Sequence, residues 1–297
     1  MNICIIGSTG IIGSEILLEL SCLPEVSLVG LSSSDLDLYF HLDKLEQVIV
    51  NLRPDIIINA VGFTDIDAIE NNKNKGFFLN CLLPHCIAEI CSQNTIKLIH
   101  FSSDNVFDGL KLLPYTEEDT FSPINYYGWT KAHTDKLLLS SFAESTTIFR
   151  ISGIYSHMRK NFFTSFLKRI ATNNILEVVV DIYISPTPAN LIAKSIAQLI
   201  SRNELLQMKG IYHLTARGGT SWFEFAKLIV DALNFSDKSV VPVSSEFYST
   251  IAKRPKMNLM TSQKLEDSTS LNLPTWQESF RYFISLSHTQ SLISSYL

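Results

Sequence analysis

The segment NYYGWTK, Asn125 to Lys131, puts a phenol four residues ahead of an ammonium group. Residues four apart on a helix share one face. Tyr127 and Lys131 can therefore act together, while Tyr126, five residues before the lysine, points further round. The chemistry that uses such a pair is carbonyl reduction. Hydride delivered to a ketone leaves an alkoxide that must gain a proton, and a tyrosine supplies it if its pKa, about 10 when unperturbed, is drawn towards neutrality. An ammonium group close by favours phenolate, so Lys131 is expected to acidify Tyr127, and it can also hold a nicotinamide ribose. A third group must hydrogen-bond the carbonyl oxygen. FSSDNVF offers Ser102 and Ser103 where an apolar run ends, and ligands of open α/β sheets sit at that edge. Tyr-x-x-x-Lys alone is common on solvated helices, so its meaning comes from this company.

The second motif is GSTGIIG, with Gly7, Gly10 and Gly13 between the apolar run NICIIG and the helical pattern SEILLELSCL. The backbone there must turn sharply, approach a pyrophosphate and let a helix lie against a sheet, and each demand favours a residue without Cβ. The helix N-terminus then offers free N–H groups to phosphate. A chance glycine turn is the plain alternative; the strand before and the helix after favour a dinucleotide. An acidic residue closing the second strand would bind a ribose 2′-hydroxyl. Here that end reads LSSSD, with Asp35 late and Ser32 to Ser34 able to donate to a phosphate, though no Arg or Lys is near. The reading leans to NADP(H) over NAD(H), with Asp37 and Leu38 placed to line the adenine.

Elements that could position these groups recur in alternation. Strands are expected at Asn2 to Gly7, Val26 to Leu31, Asp55 to Val61, Ile96 to Ser103, Thr146 to Ile151 and near 175 to 182, with helices between them. GFFLNCLLPHCIAEICSQN reads as a helix that its proline bends or divides. Strands apolar throughout and alternating with helices form a parallel sheet covered on both faces. The expected fold class is α/β, a Rossmann-type doubly wound parallel sheet over residues 1–182. A smaller α+β substrate region follows over 183–297, some of it returning to the first.

Bulk properties exclude other classes. The 297 residues carry a net charge of −5 with no long basic block, which argues against nucleic acid. No apolar run reaches about 18 residues, which argues against a membrane span, and MNICIIGSTG does not start like a signal peptide. The five cysteines form no Cys-x-x-Cys pair and read as reduced thiols of a cytoplasmic protein.

The stretches GSTGIIG, LRPDIIINAVGFTDIDAIE, LIHFSSDNVFDG, SPINYYGWTK, TIFRISGIY, DIYISPTPANLIA, GIYHLTARGGTSW and KRPKMNL span nearly the whole chain in order. Through them the chain resembles the extended short-chain dehydrogenases/reductases and, more narrowly, the dTDP-4-dehydrorhamnose reductase family. The resemblance implies Tyr127 as proton donor, Lys131 as its partner and Ser103 as carbonyl ligand. It implies Gly7, Thr9, Gly10, Ile11, Ile12, Asp37, Leu38, Ala60, Val61, Gly62 and Thr64 around the cofactor, together with Tyr127 and Lys131. The implied activity is NAD(P)H-dependent reduction of a nucleotide-linked 4-keto-6-deoxy sugar for surface polysaccharide synthesis. A homodimer is the candidate assembly.

Three positions expected near the sugar nucleotide depart from the family. Asn105 stands where tyrosine is usual, Gly153 where tryptophan is usual and Ile184 where glycine is usual. KRPKMNLM also lacks the usual Asn-Ser-Arg after its proline. Asn190 takes a position at which some relatives hold magnesium through glutamate, so no metal is expected. These departures keep two alternatives open. One is a non-catalytic dinucleotide-binding regulatory subunit, like that of methionine adenosyltransferase. The other is a sugar-nucleotide epimerase.

Other residues read as structural. His85 and His213 lack a second ligand at metal spacing. Trp222 packs at a helix start that Thr220 or Ser221 caps. Glu117 and Glu118 form a solvated loop, and Asp104 either joins the site or caps the turn after the fourth strand.

Overall fold

The computed structural model describes residues 1–39 and 41–296; Phe40 and Leu297 lie outside it. Five β-rich runs become parallel strands: β1 (Asn2–Ile6), β2 (Ser27–Leu31), β3 (Ile56–Asn59), β4 (Lys97–Ser103) and β5 (Thr146–Ile151). A sixth, Gly210–His213, completes the sheet. The order from one edge is Gly210–His213, β5, β4, β3, β1, β2, with every pair parallel.

Successive side chains of a strand face opposite ways, so a sheet covered on both sides needs apolar residues at every position. Ile3 and Ile5 of β1 pack with Ile16 and Leu20 of helix Ile11–Leu20 and with Ile192 and Ile196 of helix Ala189–Ser201. Cys4 and Ile6 face the other layer, against Leu83 and Ile87 of helix Leu83–Gln93 and Leu138 of helix Tyr126–Ser141. This α/β sheet is the doubly wound architecture expected from the alternation.

The strand expected near 175 to 182 is placed elsewhere. Ile175–Val179 pairs with Ser239–Val243 in a separate two-stranded sheet. Leu176 and Val178 enter an aromatic core with Phe163, Phe166, Phe225, Phe280 and Phe283, while Ile175 and Glu177 are exposed. That one-sided burial suits a sheet with one wet face, and Glu177 within the run is the local signal for it. The sixth central strand comes instead from GIYH, which lies beside β5 with Ile211 against Ile148.

Pro84 divides its helix. Lys73–Phe77 and Leu83–Gln93 are joined by one π-helical turn, Phe78–Leu82. Pro84 has no N–H for the Asn80 carbonyl four residues back, and Thr134 Oγ1 donates to that oxygen at 2.6 Å instead; Asn80 itself is fully buried. Ser221 Oγ caps helix Trp222–Ala232 by accepting from Glu224 N at 3.1 Å. All five cysteines are free thiols. No described helix is long and apolar enough to cross a membrane.

Candidate active site

The sheet order reverses between β1 and β3, and the glycine turn leaves β1 at that point. Ligands of open α/β sheets bind where strand order reverses, beyond the carboxyl ends. Gly7 holds φ at +86°, and a Cβ there would stand 3.0 Å from the Ala60 carbonyl carbon. A Cβ on Gly13 would come within 2.2 Å of Gly7 O. The turn thus needs glycine both for its left-handed φ and for the close approach of helix to strand. Gly7 N and Ser8 N donate to Leu31 O, tying the turn to the end of β2. Helix Ile11–Leu20 begins at Gly10 with no side-chain cap, so its first N–H groups face the crevice without intrahelical partners. These features form a cradle that fits a dinucleotide pyrophosphate.

From that turn a crevice of about 1210 Å³ runs past the ends of β3, β4 and β5. Its lining brings together Gly10, Ile11, Ile12, Ala60, Gly62, Thr64, Ser103, Asn105, Tyr127, Gly153 and Ile184. The floor is a chain of hydrogen bonds. Ser103 Oγ donates to Asp104 Oδ1 at 2.9 Å, Asn105 Nδ2 donates to the same oxygen at 2.9 Å, and Ser152 Oγ donates to Asp104 Oδ2 at 2.6 Å. Asn125 caps the tyrosine helix by accepting from Gly128 N at 2.7 Å, and its Nδ2 donates to Asn105 Oδ1 at 3.1 Å. The cap that starts the helix therefore also fixes Tyr127 against Ser103. Asp104 belongs to this floor, where burial pushes its carboxyl above the usual range.

The expected acidification of Tyr127 is not what the structure shows. Burial pushes the phenol up to about 12; a Ser103 hydrogen bond acts downward, while the negative charges of Asp104 and Asp135 act upward. Lys131 lies deeper, 3% exposed, and its Nζ donates to Phe101 O at 3.0 Å. Sharing a helix face places the two side chains on one side but not at one depth. Burial brings the Lys131 ammonium down to about 8, against the upward pull of Asp135. Its Nζ lies 3.5 Å from the position of a Cβ on Gly62, directly beneath the segment that follows β3.

Other expected residues stand around the crevice rather than on it. Gly7 and Thr9 shape the turn, and Val61 packs against Gly7. Leu38 is buried in the core, and Asp37 Oδ1 accepts from Tyr39 N at 3.0 Å. Ser32, read as free to donate to a phosphate, is engaged. Asp35 Oδ2 accepts from Ser32 N at 2.8 Å and from Ser32 Oγ at 2.6 Å, which holds the Asp35 carboxyl below the usual range. Glu117 is not simply solvated: its Oε1 accepts from His213 N at 2.6 Å, and burial raises its pKa. His213 is itself fully buried, its ring edge-on to Phe107.

Several participants were missed by reading the sequence. Asn80 accepts from Phe63 N at 2.7 Å and donates to Phe63 O and Thr130 Oγ1, pinning the segment after β3 to the tyrosine helix. One amide amid FFLNCLL was the available signal. Arg254 Nη2 pairs with Asp67 Oδ2 at 2.7 Å and ties the 250–256 segment over the crevice. Arg159 and Lys160 line the crevice on a loop that carried no motif.

Comparison with known proteins agrees with this geometry. The family model described as RmlD substrate binding domain matches residues 1–288. A dTDP-4-dehydrorhamnose reductase of Salmonella typhimurium is 31% identical over 93% of this chain and 95% of its own. The spore coat polysaccharide biosynthesis protein SpsK of Bacillus subtilis is 29% identical, covering 78% of this chain and 79% of that one. The crystal structure of dTDP-4-dehydrorhamnose reductase from Bacillus anthracis in complex with NADP superposes with a TM-score of 0.89 at 28% identity, covering 96% of this chain and 98% of that one. A glycine-turn crevice with Ser103 and Tyr127 on its floor, in a chain matched almost end to end, leaves one conclusion: the chain belongs to the RmlD substrate binding domain family.

Proposed function

We infer that the protein is an NAD(P)H-dependent reductase of a dTDP-linked 4-keto-6-deoxy sugar in the synthesis of a polysaccharide precursor. The observation that carries this reading is Tyr127 against Ser103 on the floor of a crevice that opens at the glycine turn. The nicotinamide, when bound, supplies the hydride. The remaining steps belong to this chain. Ser103 turns its Oγ–H from Asp104 to the ketone oxygen, and Tyr127 donates a proton to that oxygen as charge develops there. A phenol raised to about 12 stays protonated at neutral pH, the form that a reduction consumes. Lys131, charged below about 8, sits under the floor beside Gly62, where its ammonium holds the nicotinamide ribose in this reading. The ketone gains one hydride and one proton and becomes an alcohol.

Residues 1–182 supply the dinucleotide face in this proposal, and 183–297 supply most of the sugar-nucleotide wall. Helix Ala189–Ser201 and strand Gly210–His213 return to the first region. Asn105, Gly153 and Ile184 contact the sugar nucleotide. NADP(H) is the proposed cofactor, by likeness to the Bacillus anthracis complex, and Asp35 is the group of this chain that opposes a 2′-phosphate. The proposal extends to a homodimer, which light scattering on the eluted protein reads directly.

The test is a panel of dTDP-4-keto sugars with NADPH and NADH, read by loss of absorbance at the reduced cofactor and by product mass. A gain of two hydrogens by one sugar supports the reading. Cofactor binding without turnover of any sugar would favour the regulatory-subunit alternative.

A further inference from the structure

Within its own helix the glycine turn can meet an anion only with backbone N–H groups, since IIGSEILLEL, Ile11–Leu20, carries no Lys or Arg and no side-chain cap. A cation arrives from far along the chain. Arg159 Nε donates to Thr9 O at 2.5 Å across 150 residues. Arg159 and its neighbour Lys160 line the same crevice as Gly10, Ile11 and Ile12. Neither makes an ion pair among the described residues, whereas Arg254, the other cation on the crevice, is committed to Asp67. The loop is built to hold this position. Arg159 adopts φ +56°, costly for a residue with a Cβ. Asn161 Nδ2 donates to Ser156 O, Met158 O and Arg159 O, and Thr164 Oγ1 donates to Arg159 O at 2.9 Å. With Nε anchored on Thr9, the two Nη groups remain as a planar fork suited to phosphate oxygens.

We propose that Arg159, assisted by Lys160, is a diphosphate-binding cation that closes the open side of the glycine turn. The proposal rests on the reductase reading for its ligand, which is the diphosphate either of the dinucleotide or of the dTDP-sugar. The wild type and the variants Arg159→Ala, Arg159→Gly and Lys160→Ala are titrated calorimetrically with NADPH and, separately, with dTDP. Arg159→Gly removes the guanidinium while easing the left-handed backbone, so its melting temperature should match or exceed that of the wild type. Both Arg159 variants are expected to bind one nucleotide about ten-fold or more weakly, the scale of a charge-assisted hydrogen bond; Lys160→Ala should lose less. Loss towards NADPH alone assigns the dinucleotide, and loss towards dTDP alone assigns the substrate. Arg159 variants that bind both nucleotides within about two-fold of wild type overturn the proposal. If the wild type binds neither nucleotide, the reductase reading itself fails and this inference with it.

Discussion

Gly153 and Ile184 close one wall of the crevice against each other. A Cβ on Gly153 would stand 3.0 Å from Ile184 Cδ1 and 2.9 Å from Ser185 O, with Gly153 at φ +57°. One position forgoes a side chain where the other supplies it, so the pair together sets the pocket's shape. Gly153→Ala meets both the backbone strain and the Ser185 oxygen, and is expected to cost about 1–3 kcal/mol in thermal or urea unfolding. Ile184→Gly removes the wall, and should change the ranking of 4-keto sugars by kcat/KM by roughly 10–200-fold. An unchanged ranking would place the sugar away from this wall.

Tyr127→Phe keeps the ring but deletes the proton. Turnover should fall by about 10²–10⁴-fold, the usual worth of a positioned acid, with nicotinamide cofactor binding retained. A variant with wild-type turnover would remove Tyr127 from the chemistry.

The pH profile follows from Lys131. Its ammonium is charged below about 8 and neutral above, so kcat/KM should be level below that value and fall above it. Tyr127, near 12, contributes no limb between pH 6 and 10. A profile flat through pH 9 would show that the charge on Lys131 does not assist the transfer.

Asp135 and Arg150 form an ion pair under the site, 2.9 Å apart and both fully buried. Arg150 also stacks over Phe121, 4.6 Å from the ring centroid. Asp135→Ala leaves a buried guanidinium unpaired and should destabilise by about 3–5 kcal/mol. The double change Asp135→Leu with Arg150→Met removes both charges and should recover much of that loss. Melting curves of the single and double variants decide the matter.

In the proposed cofactor site, Asp35 is the group set to meet the adenine ribose. Its carboxylate, held on Ser32, repels a 2′-phosphate and suits a 2′-hydroxyl. Asp35→Ser should raise the preference for NADPH over NADH several-fold in kcat/KM measured with each. An unchanged ratio would mean that the adenine ribose lies elsewhere.

The parts of the site carried by local sequence were legible. GSTGIIG between a strand and a helix marks a phosphate turn because backbone geometry there depends on neighbours in the chain. Ser103 at the end of β4 and Tyr127 on a capped helix were legible for the same reason. Asp104 with Ser152, Asn80 with Phe63, and Arg159 with Thr9 were not, because each contact joins segments far apart in sequence. The run ILEVVV carried its answer in Glu177, yet β-propensity alone does not say which sheet a strand joins.

By itself the sequence determined the alternation of strand and helix, the glycine turn and the order of the candidate groups, since hydrophobic period and glycine sterics act within a few residues. Only the tertiary structure decided that GIYH, not ILEVV, completes the sheet, and that Lys131 lies beneath Tyr127's floor, donating to Phe101 O. It also set the phenol's protonation, because burial and nearby charge depend on what packs around a group rather than on its own spacing.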